Sequence, residues 1–140
     1  MSEAITSTSP AVKGNLMKGK RGLIMGVANN RSIAWGIAKA CAEQGAELAF
    51  TYQGEALQKR VFPLAESVGS KLVLPCDVTD PISMDSVFDR LSKEWGKIDF
   101  FVHAIAYSNK EELDGRYVDT TLENFTASMA ISCYSLAALC

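Results

Sequence analysis

Four short apolar runs alternate along the chain with longer stretches in which apolar and polar residues mix. The runs predict strands covered on both faces, at residues 21–27, 46–52, 71–74 and 98–104. The stretches between them predict amphipathic helices, at residues 33–44, 55–68 and from 81 onward. Strands that alternate with helices in this way favour a parallel sheet with right-handed crossovers.

The predicted helices carry recognisable start and stop residues. Ser32 is predicted to be the N-cap of the first helix, and Gly45 is predicted to end it. Asp80 followed by Pro81 is typical of an N-cap with proline at the first helical position. Pro63 lies inside the second helical stretch, so we expect it to kink or divide that helix.

The first and last helices carry further signals. Small residues in the first helix, Gly36 among them, are expected to let it approach the sheet closely. Thr120-x-x-Glu123 is a capping-box sequence, so it predicts a long last helix from Leu122 to Cys140. That helix combines Ala, Ser and bulky apolar residues with little charge, which is typical of a core or interface helix.

The chain is predicted to form one domain preceded by a tail. Residues 1–18 begin with a Ser- and Thr-rich stretch, and we expect them to be flexible. Residues 19–140 are expected to be the N-terminal portion of a single dinucleotide-binding domain. Residues 135–140 are still helical and apolar, with no stop signal. We therefore expect the chain to be truncated in the long helix after the fourth strand, in a protein roughly twice as long. A complete, small flavodoxin-like domain is the alternative.

Composition narrows the classes of function. The net charge of -2 leaves no basic footprint, so we do not expect a nucleic-acid partner. No apolar run reaches the ~20 residues that cross a bilayer, so we expect no membrane partner. The four cysteines form no C-x-x-C pair and only one histidine is present, so no metal site is expected. Free thiols of this kind favour a reducing, cytoplasmic location.

A glycine turn follows the first predicted strand and opens the first predicted helix. Gly26 starts this turn, but the next glycine, Gly36, comes ten residues later and Ala28 stands where a second glycine is usual. Strand, glycine turn and helix N-terminus together form the setting in which a backbone can cradle a pyrophosphate. The spacing alone matches the dinucleotide fingerprint poorly, so its meaning depends on the rest of the chain.

Several motifs in order resemble one family. The stretch Gly26-x5-Ser32-Ile-Ala-x-Gly36-Ile-Ala resembles the cofactor loop of the bacterial enoyl-acyl-carrier-protein reductases, divergent members of the short-chain dehydrogenase/reductase family. Four later segments resemble their second strand, adenine site, fourth strand and following loop, at residues 47–53, 76–78, 99–106 and 113–117. The resemblance covers residues 18–140. It implies an α/β, Rossmann-type fold, the N-terminal half of a doubly wound parallel sheet in three αβα layers.

The resemblance also implies NAD as the cofactor and a set of residues around it. Ser32 and Ile33 would face the phosphates from the helix N-terminus. Gln53 would bind the ribose, which in this family goes with NADH, whereas Lys59 and Arg60 keep NADPH open as an alternative. The implied cofactor-binding residues are Gly26, Ala28, Ser32, Ile33, Gln53, Asp77, Val78, Ala104, Ile105 and Ala106.

Individual positions in that set carry specific expectations. Gly26 would let the backbone approach the pyrophosphate where a Cβ would collide. Asp77 would accept a hydrogen bond from the adenine amino group, or it forms an Asx-turn before the next helix. Ala106 departs from the glycine that the family usually carries there. On the substrate side, the resemblance implies Tyr107, Ser108 and Leu113.

The catalytic pair of the resembled reductases is Tyr-x6-Lys, located beyond the fifth strand. This chain has one such spacing, from Tyr52 to Lys59, but it follows the second strand, at the adenosine end of the expected site. No catalytic residue is therefore assigned within these 140 residues. His103 lies inside an apolar run, so we expect it to have a satisfied structural role.

The implied activity is NADH-dependent reduction of a trans-2-enoyl-acyl-carrier-protein to the acyl-carrier-protein in fatty-acid biosynthesis. It would belong to an intact protein that assembles as a homotetramer, and this chain alone is expected to be inactive. One alternative is a carbonyl-reducing short-chain dehydrogenase, which would require Tyr-x3-Lys outside this chain. Another is a nucleotide-binding module without catalysis.

Overall fold

A computed structural model of the chain describes residues 13–140. Within them, four parallel strands form one sheet in the order β3-β2-β1-β4. The strands are β1 (Arg21–Met25), β2 (Glu47–Tyr52), β3 (Leu72–Pro75) and β4 (Phe100–His103). In the β1–β4 register Gly22 faces Phe100, and a side chain at Gly22 would collide with the Phe100 ring. This glycine therefore leaves room for the aromatic ring of the neighbouring strand.

Helices connect the strands and continue after β4. They are α1 (Ile33–Glu43), α2 (Gly54–Ser67) and α3 (Pro81–Trp95). Two 3-10 turns follow β4, at Lys110–Glu112 and Tyr117–Asp119. The predicted long last helix is three joined pieces, namely α4 (Leu122–Met129), a π-helical segment (Ala130–Tyr134) and α5 (Ser135–Leu139).

The helices cover both faces of the sheet, so the described chain has three layers. One core group lies between the sheet and α1 with α2, and contains Ile24, Val27, Ala34, Trp35, Ala38, Leu48, Phe50, Val61 and Ala65. The other lies between the sheet and α3 with α5, and contains Leu23, Met25, Ala49, Cys76, Val87, Leu91 and Leu139. Leu23 and Ile24 thus point to opposite faces, as alternation along a strand requires. The predicted α/β fold with a doubly wound parallel sheet is confirmed.

The face that α1 turns to the sheet differs from the prediction for Gly36. Ala34, Trp35 and Ala38 are buried, and the Trp35 ring lies 6.3 Å from that of Phe50. Gly36 is exposed and a side chain there would meet nothing, so the expected close approach at Gly36 is wrong. The alanines make the close approach instead, because they lie on the stripe that faces the sheet.

Of the two effects expected of Pro63, a kink or a division, the division does not occur, because α2 runs unbroken from Gly54 to Ser67. Proline removes the backbone hydrogen bond to the carbonyl four residues earlier, at Lys59. Both Pro63 and Lys59 are exposed. Water can therefore hydrate the freed carbonyl, and the helix continues.

The predicted capping box at the last helix lies one residue too early. Thr120 ends the preceding 3-10 turn, because its backbone N–H donates to Tyr117 O in that turn. Thr121 is the N-cap, and its Oγ1 accepts a hydrogen bond from Asn124 N at 3.1 Å. The reciprocal acid is Glu112 rather than Glu123, because the Glu112 carboxylate accepts hydrogen bonds from both the backbone and the hydroxyl of Thr121.

The segment before β1 is bound to the end of α1. Gly14 N donates to Glu43 O at 3.0 Å, and Met17 N donates to Gln44 O at 2.8 Å. Residues 14–18, which the sequence assigned to a flexible tail, therefore form a turn on the body of the domain. The first part of that predicted tail, residues 1–12, lies outside the described residues.

A candidate cofactor cleft

A cleft opens at the carboxyl ends of the strands, where the chain order along the sheet reverses between β1 and β4. Open parallel sheets bind ligands at such a switch point. The cleft has a volume of about 330 Å³, within the usual size range of small-molecule sites. Of the ten residues predicted to bind a cofactor, eight line it: Gly26, Ala28, Gln53, Asp77, Val78, Ala104, Ile105 and Ala106. Tyr107, predicted on the substrate side, lines the same cleft.

Gly26 has a structural reason in addition to the predicted approach to a pyrophosphate. Its φ of +105° lies in a region that side-chain-bearing residues avoid. A Cβ there would collide with the backbone carbonyl of Ala104. The glycine is thus required by the approach of two strand ends, which brings the turn after β1 against the segment after β4 and closes the floor of the cleft.

The N-terminus of α1 lies beside the turn that Gly26 opens. Ser32 occupies the N-cap position, but its side chain does not cap the helix. Its hydroxyl oxygen instead accepts hydrogen bonds from Ala28 N at 2.9 Å and Asn29 N at 3.0 Å. The predicted N-cap position of Ser32 is thus confirmed, but its side chain holds the preceding turn closed instead of capping the helix. The N–H groups of the first helical turn receive no side-chain cap, so they remain able to bind an anion.

Neither Ser32 nor Ile33 is among the residues that line the cleft. Ser32 acts on the cleft indirectly, through the backbone of Ala28. Ile33 is the first residue of α1 and its side chain is 81% exposed. A contact of Ile33 with a phosphate would therefore come from its backbone N–H rather than from its side chain.

The polar wall of the cleft is formed by Asp77 and Gln53. Asp77 Oδ1 accepts hydrogen bonds from Thr79 N at 2.9 Å and Thr79 Oγ1 at 2.6 Å, which is an Asx-turn. These bonds from Thr79 hold the pKa of the Asp77 carboxyl below its usual value, with a smaller contribution from the Gln53 side chain. Asp77 is therefore a fixed, ionised acceptor at the end of β3.

The thiol of Cys76 lies in the wall next to Asp77. Burial raises its pKa, and the negative charge of Asp77 raises it further, against a hydrogen bond with Ser83 that lowers it. The thiol is thus held in its neutral form near neutral pH, where it is a weak nucleophile. We interpret Cys76 as an apolar wall residue rather than a reactive group.

The segment after β4 forms the wall opposite Gln53 and Asp77. It runs from Ala104 to Tyr107, and Ala104 N donates to Met25 O at 3.1 Å. Ser132 in the π-helical segment binds the backbone of Tyr107 twice. Its Oγ accepts from Tyr107 N at 2.9 Å and donates to Tyr107 O at 3.2 Å. The π-helical segment therefore holds this wall in place.

Two of the three predicted substrate-side residues lie outside the cleft. Ser108 and Leu113 line a neighbouring cavity of about 390 Å³ beside α4. Asn124, which is 8% exposed, accepts a hydrogen bond from Asn109 N at 2.9 Å and donates to Ser108 Oγ at 3.3 Å. The structure thus brings Tyr107 to the cleft and separates it from Ser108 and Leu113.

Three residues to which the sequence assigns no catalytic role are Tyr52, Lys59 and His103, and the structure shows what surrounds each of them. The ring of Tyr52 packs edge-on against Phe62, with 6.0 Å between ring centroids, while Lys59 is exposed on α2. His103 Nε2 lies 2.7 Å from Ser135 Oγ. Neither Lys59 nor His103 lines the cleft. Within residues 13–140, no three His, Cys, Asp or Glu side chains come together in a group that could hold a metal ion.

Sequence reasoning missed part of the cleft wall. The missed residues are Val27, Thr51, Tyr52, Leu57, Cys76, Thr79 and Ile131. Four of them, Val27, Thr51, Tyr52 and Cys76, lie at the end of a predicted strand or within two residues after it, so the rule that ligands bind at strand ends could have found them. Ile131 could not have been found in that way, because it comes from the π-helical segment after β4. No helix in the described part of the chain is long and apolar enough to cross a membrane.

Comparison with known proteins identifies relatives of this chain. Residues 26–140 match the family model described as enoyl-(acyl carrier protein) reductase. The chain is 66% identical over 120 residues to enoyl-[acyl-carrier-protein] reductase [NADH] 2 of Rhizobium meliloti, covering 86% of this chain and 45% of that protein. It is 55% identical over 124 residues to the NADH enoyl-[acyl-carrier-protein] reductase FabI of Rickettsia felis, covering 89% of this chain and 48% of that protein. The chain thus spans just under half the length of these relatives.

Solved structures show the same fold at high identity. The enoyl-(acyl-carrier-protein) reductase of Anaplasma phagocytophilum in complex with NAD is 60% identical, with a TM-score of 0.87 over 90% of this chain and 48% of that chain. The Bacillus cereus enoyl-acyl carrier protein reductase with NADP+ and indole naphthyridinone is 43% identical, with a TM-score of 0.86 over 89% of this chain and 49% of that one. The family model, the sequence identities and the shared fold agree, so the chain belongs to the enoyl-(acyl carrier protein) reductase family.

Proposed function

We propose that the intact protein reduces trans-2-enoyl-acyl-carrier-protein to the acyl-carrier-protein with NADH, in fatty-acid synthesis. The cleft at the β1–β4 switch point carries this proposal, since a fixed carboxylate and an apolar wall line it and an uncapped helix N-terminus lies beside its Gly26 turn. These are the groups that a dinucleotide requires for its phosphates, adenosine and nicotinamide. Relatives of the same family are named as NADH-dependent enoyl reductases, which supports the choice of reaction.

The residues of this chain would bind and orient the cofactor rather than perform the chemistry. When bound, the dihydronicotinamide supplies the hydride that adds to the β-carbon of the enoyl thioester. The first turn of α1 would hold the pyrophosphate, and Asp77 would accept a hydrogen bond from the adenine amino group. The segment from Ala104 to Tyr107 would lie along the ribose and nicotinamide, excluding water from one side. We assign no proton donor to the described residues.

We expect NADH to be preferred over NADPH because of the charge around Gln53. The residues that line the cleft, among those that the structure describes, include Asp77 but neither Lys nor Arg. An extra phosphate on the adenosine ribose would face a carboxylate and no cation. Lys59 is exposed and outside the lining, as expected for a solvated side chain. The B. cereus relative is a complex with NADP+, so the ratio of the two cofactor affinities is the quantity that distinguishes the present protein from that one.

The test is to assay the intact protein with both cofactors and both substrate classes. We expect it to oxidise NADH with a trans-2-enoyl thioester, followed at 340 nm, and to bind NADPH at least about tenfold more weakly than NADH. Gln53→Arg should narrow that ratio by strengthening NADPH binding, since arginine accommodates a 2′-phosphate. Lys59→Ala is the matched control and should leave both affinities unchanged.

Each of the other outcomes of this assay would indicate a different function for the protein. Reduction of a carbonyl substrate without reduction of the enoyl thioester would show a carbonyl-reducing dehydrogenase. Tight NADH binding without any turnover by the intact protein would show a nucleotide-binding module. Loss of NADPH binding in Lys59→Ala would contradict the proposed cofactor preference, because it would place Lys59 at the 2′-phosphate.

We also propose that the intact protein is a homotetramer and works in the cytoplasm. The outer face of the last helix supports self-association, because its large apolar side chains Leu122, Phe125, Met129 and Leu136 are between 45% and 81% exposed. The cytoplasmic location is supported by the cysteines, which are all free thiols.

A further inference from the structure

A hydrogen-bonded chain through the buried Ser135 links the end of β4 to the π-helical segment. His103 Nε2 lies 2.7 Å from Ser135 Oγ, and Ser135 Oγ donates to Ile131 O at 2.6 Å. Ser135 is 1% exposed, so water does not compete for its hydroxyl. The contact joins residues 32 positions apart, from the central sheet and from the last helix.

The π-helical geometry explains why the Ser135 hydroxyl is turned toward Ile131. In an α-helix, the backbone N–H of residue 135 would bind the carbonyl of residue 131. The wider turn brings Ser135 N to Ala130 O instead. The Ser135 hydroxyl then donates to the Ile131 carbonyl in place of the backbone N–H. This serine is thus part of the π-helical turn itself.

The same hydroxyl determines which nitrogen of His103 carries the proton. A serine hydroxyl has one hydrogen, and that of Ser135 is directed at Ile131 O. The oxygen can therefore only accept from the imidazole, so Nε2 must be the protonated nitrogen. His103 acts as a donor that fixes the orientation of the serine.

The π-helical turn that His103 holds contributes directly to the cofactor cleft. Ile131, whose carbonyl accepts the serine hydroxyl, lines the cleft. The next residue, Ser132, binds the backbone of Tyr107, which belongs to the wall segment after β4. A shift of the turn would therefore move two parts of the cleft wall together.

We infer that His103 is a positioning residue, which acts through Ser135 to hold the π-helical turn and the nicotinamide side of the cleft in place. The identity of the bound group rests on the proposed function. The positioning itself rests on the chain from His103 through Ser135 to Ile131. His103 touches neither the cleft nor any expected reacting atom, so its effect passes entirely through that chain.

The first test is the tautomer of His103, measured by ¹⁵N NMR of the intact protein. The resonance is assigned by its loss in His103→Asn. In the neutral ring, we expect Nε2 to carry the proton, and we expect Ser135→Ala to yield a mixture of tautomers. An Nδ1-protonated ring in the wild type, or an unchanged ring in Ser135→Ala, would overturn the assignment.

The second test measures whether the contact reaches the cleft. Ser135→Ala and His103→Phe are each expected to raise the dissociation constant and KM for NADH about fivefold or more, with a smaller effect on kcat, because a displaced wall binds the cofactor poorly. His103→Gln keeps an N–H donor at a similar reach and should restore most of the affinity. A merely structural role would lower stability without this split or this rescue.

Ser86→Ala is the matched control for the second test. The Ser86 hydroxyl also donates to the carbonyl four residues earlier, Ile82 O, at 2.8 Å, but it lies on α3 away from the cleft. We expect its NADH affinity to match the wild type. If Ser86→Ala and Ser135→Ala weaken NADH binding equally, the positioning role is wrong. If wild type binds no NADH while the tautomer test succeeds, the proposed function fails and the His103–Ser135 chain stands.

Discussion

Two glycines in the same motif show how differently one residue type can be used. Gly26 has a positive φ and no space for a side chain, because the Ala104 carbonyl occupies it. Gly36 is helical, exposed and surrounded by open space. The sequence presents both as the glycines of one cofactor loop, yet the fold requires only the first. The difference depends on β4, which is remote in sequence.

This contrast predicts opposite effects of the same substitution. Gly26→Ala is expected to lower the free energy of unfolding by about 2 kcal/mol or more, through backbone strain and the collision with Ala104. Gly36→Ala is expected to raise it by about 0.5–1 kcal/mol, because alanine favours the helix. Urea unfolding midpoints of the intact protein measure both. Similar losses in the two variants would show that Gly36 also has a packing role.

At the scale of elements, local sequence signals predict the positions of strands and helices well. They predict the hydrogen bonds at the ends of those elements poorly. The apolar run Leu23-Ile-Met25 and the Asp80-Pro81 start predict β1 and α3 correctly, because those signals act over a few residues. Ser32 is at the predicted N-cap, yet its hydroxyl binds the preceding turn. The π-helical turn could not be predicted, since it depends on tertiary contacts such as that of Ser135 with His103.

The one-residue shift of the last helix's N-cap can be tested directly. Thr121→Ala should lower the free energy of unfolding by about 1 kcal/mol, because its Oγ1 caps Asn124 N. Thr120→Ala, the neighbouring threonine that the sequence pattern favoured, should change it by less than about 0.5 kcal/mol. The order of the two urea unfolding midpoints decides whether Thr121 or Thr120 caps the last helix. A larger loss in Thr120→Ala would restore the capping box predicted from the sequence.

At the scale of the whole molecule, the described residues form a cleft at one edge of the sheet and leave an apolar helix face uncovered. The cleft lies at the carboxyl edge of the sheet, as the switch in strand order predicts. The position of the substrate-side residues could not be predicted in the same way. Ser108 and Leu113 follow two irregular turns whose path depends on Asn124 and on the start of α4.

The proposed self-association predicts a selective effect of charge on that helix face. We expect the intact protein to sediment as a tetramer, and Phe125→Glu to weaken assembly by at least about 2 kcal/mol, because a carboxylate would be buried in the interface. Ile82→Glu places the same charge at an exposed apolar site on α3 and should leave the tetramer intact. Sedimentation velocity distinguishes them. A monomeric wild type, or dissociation by both variants, would contradict the assignment of this face.

The central position of β1 has a consequence for how the protein is made. One neighbour of β1 in the sheet, β2, is synthesised soon after it, but the other neighbour, β4, is synthesised much later. A hydrogen bond from Arg21 N to the Asp99 carboxylate joins the start of β1 to the residue before β4, and these two residues are 78 positions apart in the chain. A ribosome adding about 5–20 residues per second leaves this edge open for roughly 4–16 seconds. The unpaired backbone N–H and C=O groups of a strand edge can form hydrogen bonds with a strand of another chain. The newborn chain is therefore most vulnerable to pairing with another protein just before β4 emerges.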